Sequence, residues 1–118
     1  MADRRALGAR GEEAARRHLE SIGWRVLHCN FRTPRGEIDL VALDGGQVVF
    51  VEVRTWLSDV FGSPAESITV AKQRRMRAVA EEFLARHCEQ ADVRFDVILV
   101  AAGAGGRLEI AEHLRGAF

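Results

Sequence analysis

The chain reads as an α/β fold with helices flanking a mixed central sheet, in the order αβββαβ. Three observations predict it. Two long stretches carry apolar residues at helical spacing, one near the amino terminus and one from Val70 onward. Between them, two strand-like runs flank Asp44-Gly45-Gly46-Gln47, a tetrapeptide suited to a tight hairpin. After the second helical stretch, Arg94 to Val100 is an apolar run of strand length. A hairpin is antiparallel by construction, whereas a strand reached through a long helix is usually parallel to its neighbour. The sheet is therefore expected to be mixed, with helices packed on it.

Taken in order, Leu7, Gly11, Ala14, Ala15, Leu19 and Ile22 form one stripe, with Arg4, Arg10, Arg16, Arg17, Glu13 and Glu20 largely elsewhere. The spacing predicts a helix over about Asp3 to Ser21, stopped by Gly23. Trp24 to Cys29 reads as the first strand and Thr33-Pro34-Arg35-Gly36 as a turn, since proline cannot donate within a ladder. Strands follow at about Glu37 to Leu43 and Gln47 to Arg54. Trp56 to Ser67, with Gly62 and Pro64, reads as a loop. Thr69 or Ser67 can cap a second helix from Val70 to His87, whose inward stripe is Val70, Met76, Val79, Ala80, Phe83 and Leu84. Arg94 to Val100 is a strand, Ala102 to Gly106 a turn, and Arg107 to Ala111 a last short strand.

At 118 residues the whole chain, 1–118, is expected to form a single domain with one sizeable core. Its hydrophobic share of 47% and charged share of 29% argue against disorder. Seventeen basic residues balance seventeen acidic ones, so any nucleic-acid partner must be held by local clusters rather than by bulk charge. Lys72 is the only lysine. Cys29 and Cys88 show no paired spacing, which suits reduced thiols and a cytoplasmic location. No apolar run approaches membrane-spanning length, and the amino terminus leads into a mixed-charge helix rather than a signal core.

The chemistry concentrates in the hairpin. Gly36-Glu37-Ile38-Asp39-Leu40 and Phe50-Val51-Glu52-Val53-Arg54 set three carboxylates within strands that otherwise read as buried. With Gly45 and Gly46 central in the turn, Asp44 pairs with Gln47, Asp39 with Glu52, and Glu37 with Arg54. Ile38, Leu40 and Ala42 then stack on Val53, Val51 and Val49 as an apolar opposite face, which a slip of one residue would scramble. Two carboxylates side by side repel unless something positive lies between them, and a divalent cation is the obvious candidate.

These motifs resemble the metal-dependent nuclease core of the restriction-endonuclease-like superfamily, in which an Asp and a Glu-x-Lys on paired strands hold Mg²⁺. More closely, the chain resembles the small bacterial YraN-like family, itself similar to archaeal Holliday-junction resolvases. The matching landmarks are Gly8-x-x-Gly11-Glu12, Asn30-x-Arg32, Gly36-Glu37-Ile38-Asp39-Leu40, Val51-Glu52-Val53-Arg54, Phe61-Gly62-x-Pro64, Lys72, Arg94-Phe95-Asp96 and Ala117-Phe118. The resemblance implies a restriction-endonuclease-like αβββαβ core and a Mg²⁺- or Mn²⁺-dependent endonuclease acting on DNA, with branched DNA among the candidate substrates. It places the metal on Asp39, Glu52 and the carbonyl of Val53, and adds Glu12 from the first helix. The family's third motif ends in Lys where this chain has Arg54, and arginine stays charged and cannot serve as a general base. Arg54 then either stabilises charge on a phosphate or forms a structural pair with Glu37.

Lys72, Arg74, Arg75 and Arg77 begin the second helix, where the helix dipole favours anions. A phosphate-facing track that includes Arg35 explains them, and so does a solvated basic face. Trp56 and Phe61 read as loop anchors or base-stacking platforms. His18, His28, His87 and His113 lack metal spacing and read as structural; Asp96, isolated among apolar residues, reads as a buried hydrogen-bond acceptor or a partner of Arg94. The competing function is a nucleic-acid-binding or protein-interaction module that keeps the fold without cleavage, and a scaffold that forms a homodimer is a third.

Overall fold

The computed structural model describes residues 4–57, 68–87 and 91–118. Helix α1 spans Arg4–Ser21, followed by strands β1 (Arg25–Thr33), β2 (Gly36–Asp44) and β3 (Gln47–Leu57). Helix α2 spans Val70–His87, then come β4 (Asp92–Ala102), a short turn of 3₁₀ helix at Ala104–Gly106, and β5 (Leu108–Leu114). Among the described residues the strands form one five-stranded sheet in the order β1-β2-β3-β4-β5. β3 and β4 are parallel and the other neighbours antiparallel. The order is the expected αβββαβ core, with β5 added at the edge.

Local chemistry explains the element ends. Gly23, at φ 88°, lets the chain leave α1, and the Trp24 amide returns to the Leu19 carbonyl at 3.0 Å. Thr69 caps α2, its Oγ1 accepting the Lys72 amide at 3.0 Å. The alternative cap, Ser67, lies outside the described residues, as do Phe61, Gly62, Pro64 and Cys88. β3 runs further than expected and takes in Trp56, which packs beside Ile68, Val97 and Leu99. It is a partly buried strand side chain rather than a loop residue.

The helices cover opposite faces of the sheet. Met76, Val79, Ala80 and Phe83 of α2 pack on Val41, Val48, Phe50 and Phe95, while Ala15 and Leu19 of α1 pack on Leu40, Ala42, Val49 and Val51. Phe50 is wholly buried between Phe95 and Phe83, with ring centroids 5.5 and 5.8 Å away. Truncating such a residue costs about 3–5 kcal/mol. Two expected stripe members differ. Ile22 is exposed because α1 ends at Ser21 and Trp24 closes that end of the core; Val70 is exposed as the first residue of α2.

One close approach fixes the tilt of α1. A β-carbon on Gly11 would lie 1.8 Å from Oγ1 and 2.9 Å from Cβ of Thr55. Only glycine lets the helix backbone rest on β3 at this point, and the next residue is Glu12.

Candidate functional site

The hairpin register is the expected one from Asp44↔Gln47 through Leu43↔Val48, Ala42↔Val49 and Val41↔Phe50 to Leu40↔Val51. Beyond Leu40 the strands no longer follow the simple ladder. Ile38 packs in the α2-side core while Leu40 and Ala42 pack on the α1 side, so Ile38 does not join their face as alternation suggested. The Val53 amide donates to Asp39 Oδ2 at 2.8 Å, a side-chain bond where a backbone bond would otherwise sit. The change of face and this bond coincide at the acidic motif.

Asp39 and Glu52 are brought together. Glu52 is only 5% exposed. Asp39 is pushed up to about 8, first by burial, then by the charge of Glu52 and a hydrogen bond with it, and to a lesser degree by Glu12; the Val53 amide pulls the other way. Two cations bracket Glu52: Arg54 Nε and Lys72 Nζ each lie 3.3 Å from its Oε2. The side chain of Lys72 is about 30% exposed, so its ammonium sits between the buried carboxylate and solvent. The expected pairing of Glu37 with Arg54 does not form. Glu37 instead meets Arg32 at 3.2 Å, because the strands part at Asp39 and leave Glu37 facing β1.

Glu12 stands at the margin. It lies with Asn30, Arg32 and Glu37 along an open groove of about 560 Å³, also lined by Arg5, Gly8 and Ala9. Burial raises its carboxyl, and Glu37 and Glu52 add to that, while a hydrogen bond with Asn30 and the charge of Arg32 oppose it. Asn30 sits at φ 54° within β1, a left-handed conformation that asparagine tolerates better than most residues. Its position beside Glu12 was not legible from strand periodicity; its one signal was the Asn30-x-Arg32 landmark. Among the described residues no group of three or more His, Cys, Asp or Glu side chains converges as a cation cage. A cation here would rest on the Asp39–Glu52 pair, a backbone carbonyl such as that of Val53, and water, a donor set that suits Mg²⁺.

The expected basic track is divided. Lys72 reaches the site. Gly36, in the turn that carries Arg35, approaches α2 near Arg75: a β-carbon on Gly36 would lie 3.9 Å from that of Arg75. Arg35 and Arg75 are exposed on this side, and Arg74 is exposed one residue earlier on the helix. Arg77 leaves the group, its guanidinium 4.8 Å from the Phe95 ring centroid and 5.7 Å from that of Phe118. Asp96 is wholly buried and bound by Arg94, His113 and the Gly116 amide, away from the acidic pair. Among the described residues no helix is long and apolar enough to cross a membrane.

Residues 11–100 match the family described as "Uncharacterised protein family UPF0102". The chain is 46% identical over 121 residues to a UPF0102 protein of Rhodococcus jostii (strain RHA1), an alignment that covers all of both chains. It is 47% identical over 112 residues to one of Beutenbergia cavernae, covering 94% of each. One from Symbiobacterium thermophilum is 47% identical over 105 residues, covering 88% of this chain and 89% of its own.

Proposed function

The chain belongs to the uncharacterised protein family UPF0102, and from that premise and the geometry around Asp39 we propose that it is a divalent-metal-dependent phosphodiesterase. Its substrate on this reading is nucleic acid, DNA before RNA, and its core is that of the restriction-endonuclease-like superfamily. The observation that carries the reading is the Asp39–Glu52 pair, two acids pressed together on the neighbouring interior strands β2 and β3 with cations beside one of them. A structural role does not need two acids in contact, since burying them costs either like-charge repulsion or a proton held well above its usual range.

The donor set fits Mg²⁺ or Mn²⁺ held by Asp39, Glu52 and the Val53 carbonyl. A bound cation supplies charge neutralisation at the phosphate and a more acidic water. The chain's own residues do the rest. The Val53 amide orients Asp39 through its Oδ2. Lys72 and Arg54 each lie 3.3 Å from Glu52 Oε2 and present positive charge where a phosphate oxygen would lie. Of the two cations beside Glu52, Lys72 carries the one lysine amine, the type of group that can act as a base, a role closed to Arg54. Glu12 and Asn30 line the groove that leads away from the pair.

A second reading rests on the same cations. Arg54 and Lys72 already offset the charge of Glu52, which would suit a nucleic-acid-binding module that does not cleave. Nicking of labelled junction, flap, single-stranded and duplex DNA with Mg²⁺ or Mn²⁺ separates the two. Cleavage abolished by Asp39→Asn supports the enzyme; binding without cleavage of any substrate supports the module.

A further inference from the structure

The end of α1 away from the acidic pair carries a second cluster of titratable groups. His18 Nε2 lies 3.1 Å from His113 Nδ1, and His113 Nε2 lies 2.8 Å from Asp96 Oδ2. Asp96 also accepts from Arg94 at 2.9 and 3.1 Å and from the Gly116 amide at 3.0 Å. Three elements thus meet in one chain of bonds: α1 through His18, β5 through His113 and β4 through Asp96.

The carboxylate fixes the direction of that chain. An ionised Asp96 can only accept, so His113 Nε2 carries a hydrogen. In the neutral ring His113 Nδ1 is then the acceptor, and His18 must donate from Nε2. We propose that His18 and His113 form a one-proton clasp, a pH-sensitive joint that docks the C-terminal half of α1 on β5 and loosens when a second proton is added. The first proton is accommodated, since an imidazolium can bond a neutral imidazole across the same contact in either sense. With two protons, both rings present N–H at the 3.1 Å contact and both are positive.

Among the described residues, the acidic groups around the pair are already held by cations. Trp24 lies edge-on to His113 at 5.2 Å, with the guanidinium of Arg94 5.0 Å and that of Arg115 5.2 Å from the Trp24 ring centroid. Asp96 and Asp44 face these cations, both bonded to Arg94. On α1, Glu13 lines the same groove as His18 but is paired with Arg16 and Arg17. Burial, His113 and Arg115 hold His18 below the usual imidazole range. Its contribution to stability is therefore complete above the unfolded imidazole value and falls as the pH drops through it. The groove between α1 and β5, about 750 Å³ and floored by Ala14, Leu108 and Ile110, would widen as the joint loosens.

The test uses the full chain. Long-range ¹H–¹⁵N spectra of the histidine rings at about pH 7.5 should show both His18 and His113 as Nε2–H tautomers. Titration to about pH 5.5 should add one proton to the pair. His18→Gln keeps a donor to His113 and removes the titration. Over the same interval the parent Tm should fall by roughly 3 °C more than that of the variant. Parallel Tm curves overturn the proposal. So does an independent full proton on each ring by about pH 6 with α1–β5 amide shifts unchanged, a result that needs no variant.

Discussion

Val53 donates its amide to the Asp39 carboxylate at 2.8 Å, just past the last regular rung of the β2–β3 ladder at Leu40↔Val51. A side chain has taken the place of a backbone acceptor. The bond leaves Val53 satisfied where the strands part, and it turns Asp39 toward Glu52. Fold and site therefore share one hydrogen bond, and disturbing Asp39 should be felt in both.

The stability of the metal-free protein should depend on pH through this residue. Asp39 keeps its proton in the folded state up to about pH 8, whereas its ordinary value is 3.8. Between those values the folded state binds the extra proton, so stability falls as the pH rises through the interval. Asn at this position can accept from Val53 and donate to Glu52 without ever ionising. Asp39→Asn should match the parent near pH 4 and exceed it near pH 8 by about 1 kcal/mol or more. Urea denaturation in a chelating buffer measures this. A parent as stable as the variant at pH 8 contradicts it.

Metal binding should release the same proton. Mn²⁺ affinity is expected to rise about tenfold per pH unit up to about pH 8 and then level off. Calorimetry in buffers of different ionisation enthalpy reads the proton directly. Affinity that is flat with pH, or undiminished in the Asp39→Asn, Glu52→Gln double variant, would remove the metal from this site.

The hairpin was legible for a physical reason. Asp44-Gly45-Gly46-Gln47 sets its register, and an error of one would have moved Val49 and Val51, both wholly buried, to the opposite face of the sheet. The departure at Asp39 was not legible, because alternation describes backbone ladders and contains no term for a carboxylate replacing a carbonyl. The same blindness produced the expected Glu37–Arg54 pair, where the structure has Glu37 with Arg32 and Arg54 with Glu52. Lys72 could be placed at the start of α2 from the cap and the helical stripe. Its distance from Glu52 depends on how α2 sits on the sheet, which spacing along one helix does not encode.

Gly11 gives a packing test. Gly11→Ala forces its new carbon into Thr55, and overpacking of this kind costs about 1–3 kcal/mol. Thr55→Gly should recover part of that stability by removing the opposing atoms. The double variant should be more stable than Gly11→Ala alone, despite the added glycine. Equal stabilities of the two in a denaturant series would show that α1 shifts freely and does not hold Glu12 in place.

Binding to DNA should weaken steeply with salt and draw on Lys72, Arg74, Arg75 and Arg35. Neutralising any one cation that meets a phosphate should lower the slope of log affinity against log salt by roughly one. Arg77, held over Phe95 and Phe118, should contribute nothing to that slope. The comparison to make is the quadruple neutral variant against Arg77→Gln in one salt series. An unchanged slope in the quadruple variant would identify the face as merely solvated.

Arg54 decides between a working enzyme and a binding module. Its Nε lies 3.3 Å from Glu52, so it fixes that carboxylate, but it cannot give up a proton near neutral pH. Lysine at the same position keeps the charge and gains a group that can be deprotonated. Arg54→Lys should keep the fold and raise Mg²⁺-dependent nicking in single-turnover measurements on a labelled junction. Arg54→Ala should weaken phosphate engagement and leave Lys72 as the one cation within 4 Å of Glu52 among the salt bridges of the described residues; Glu37 should be unaffected, since its partner is Arg32. A slower lysine variant would identify Arg54 as a clamp on developing phosphate charge. Equal inertness of all three proteins on every substrate would transfer the assignment to the binding module, with Lys72 and Arg54 as neutralisers of a carboxylate that no longer serves catalysis.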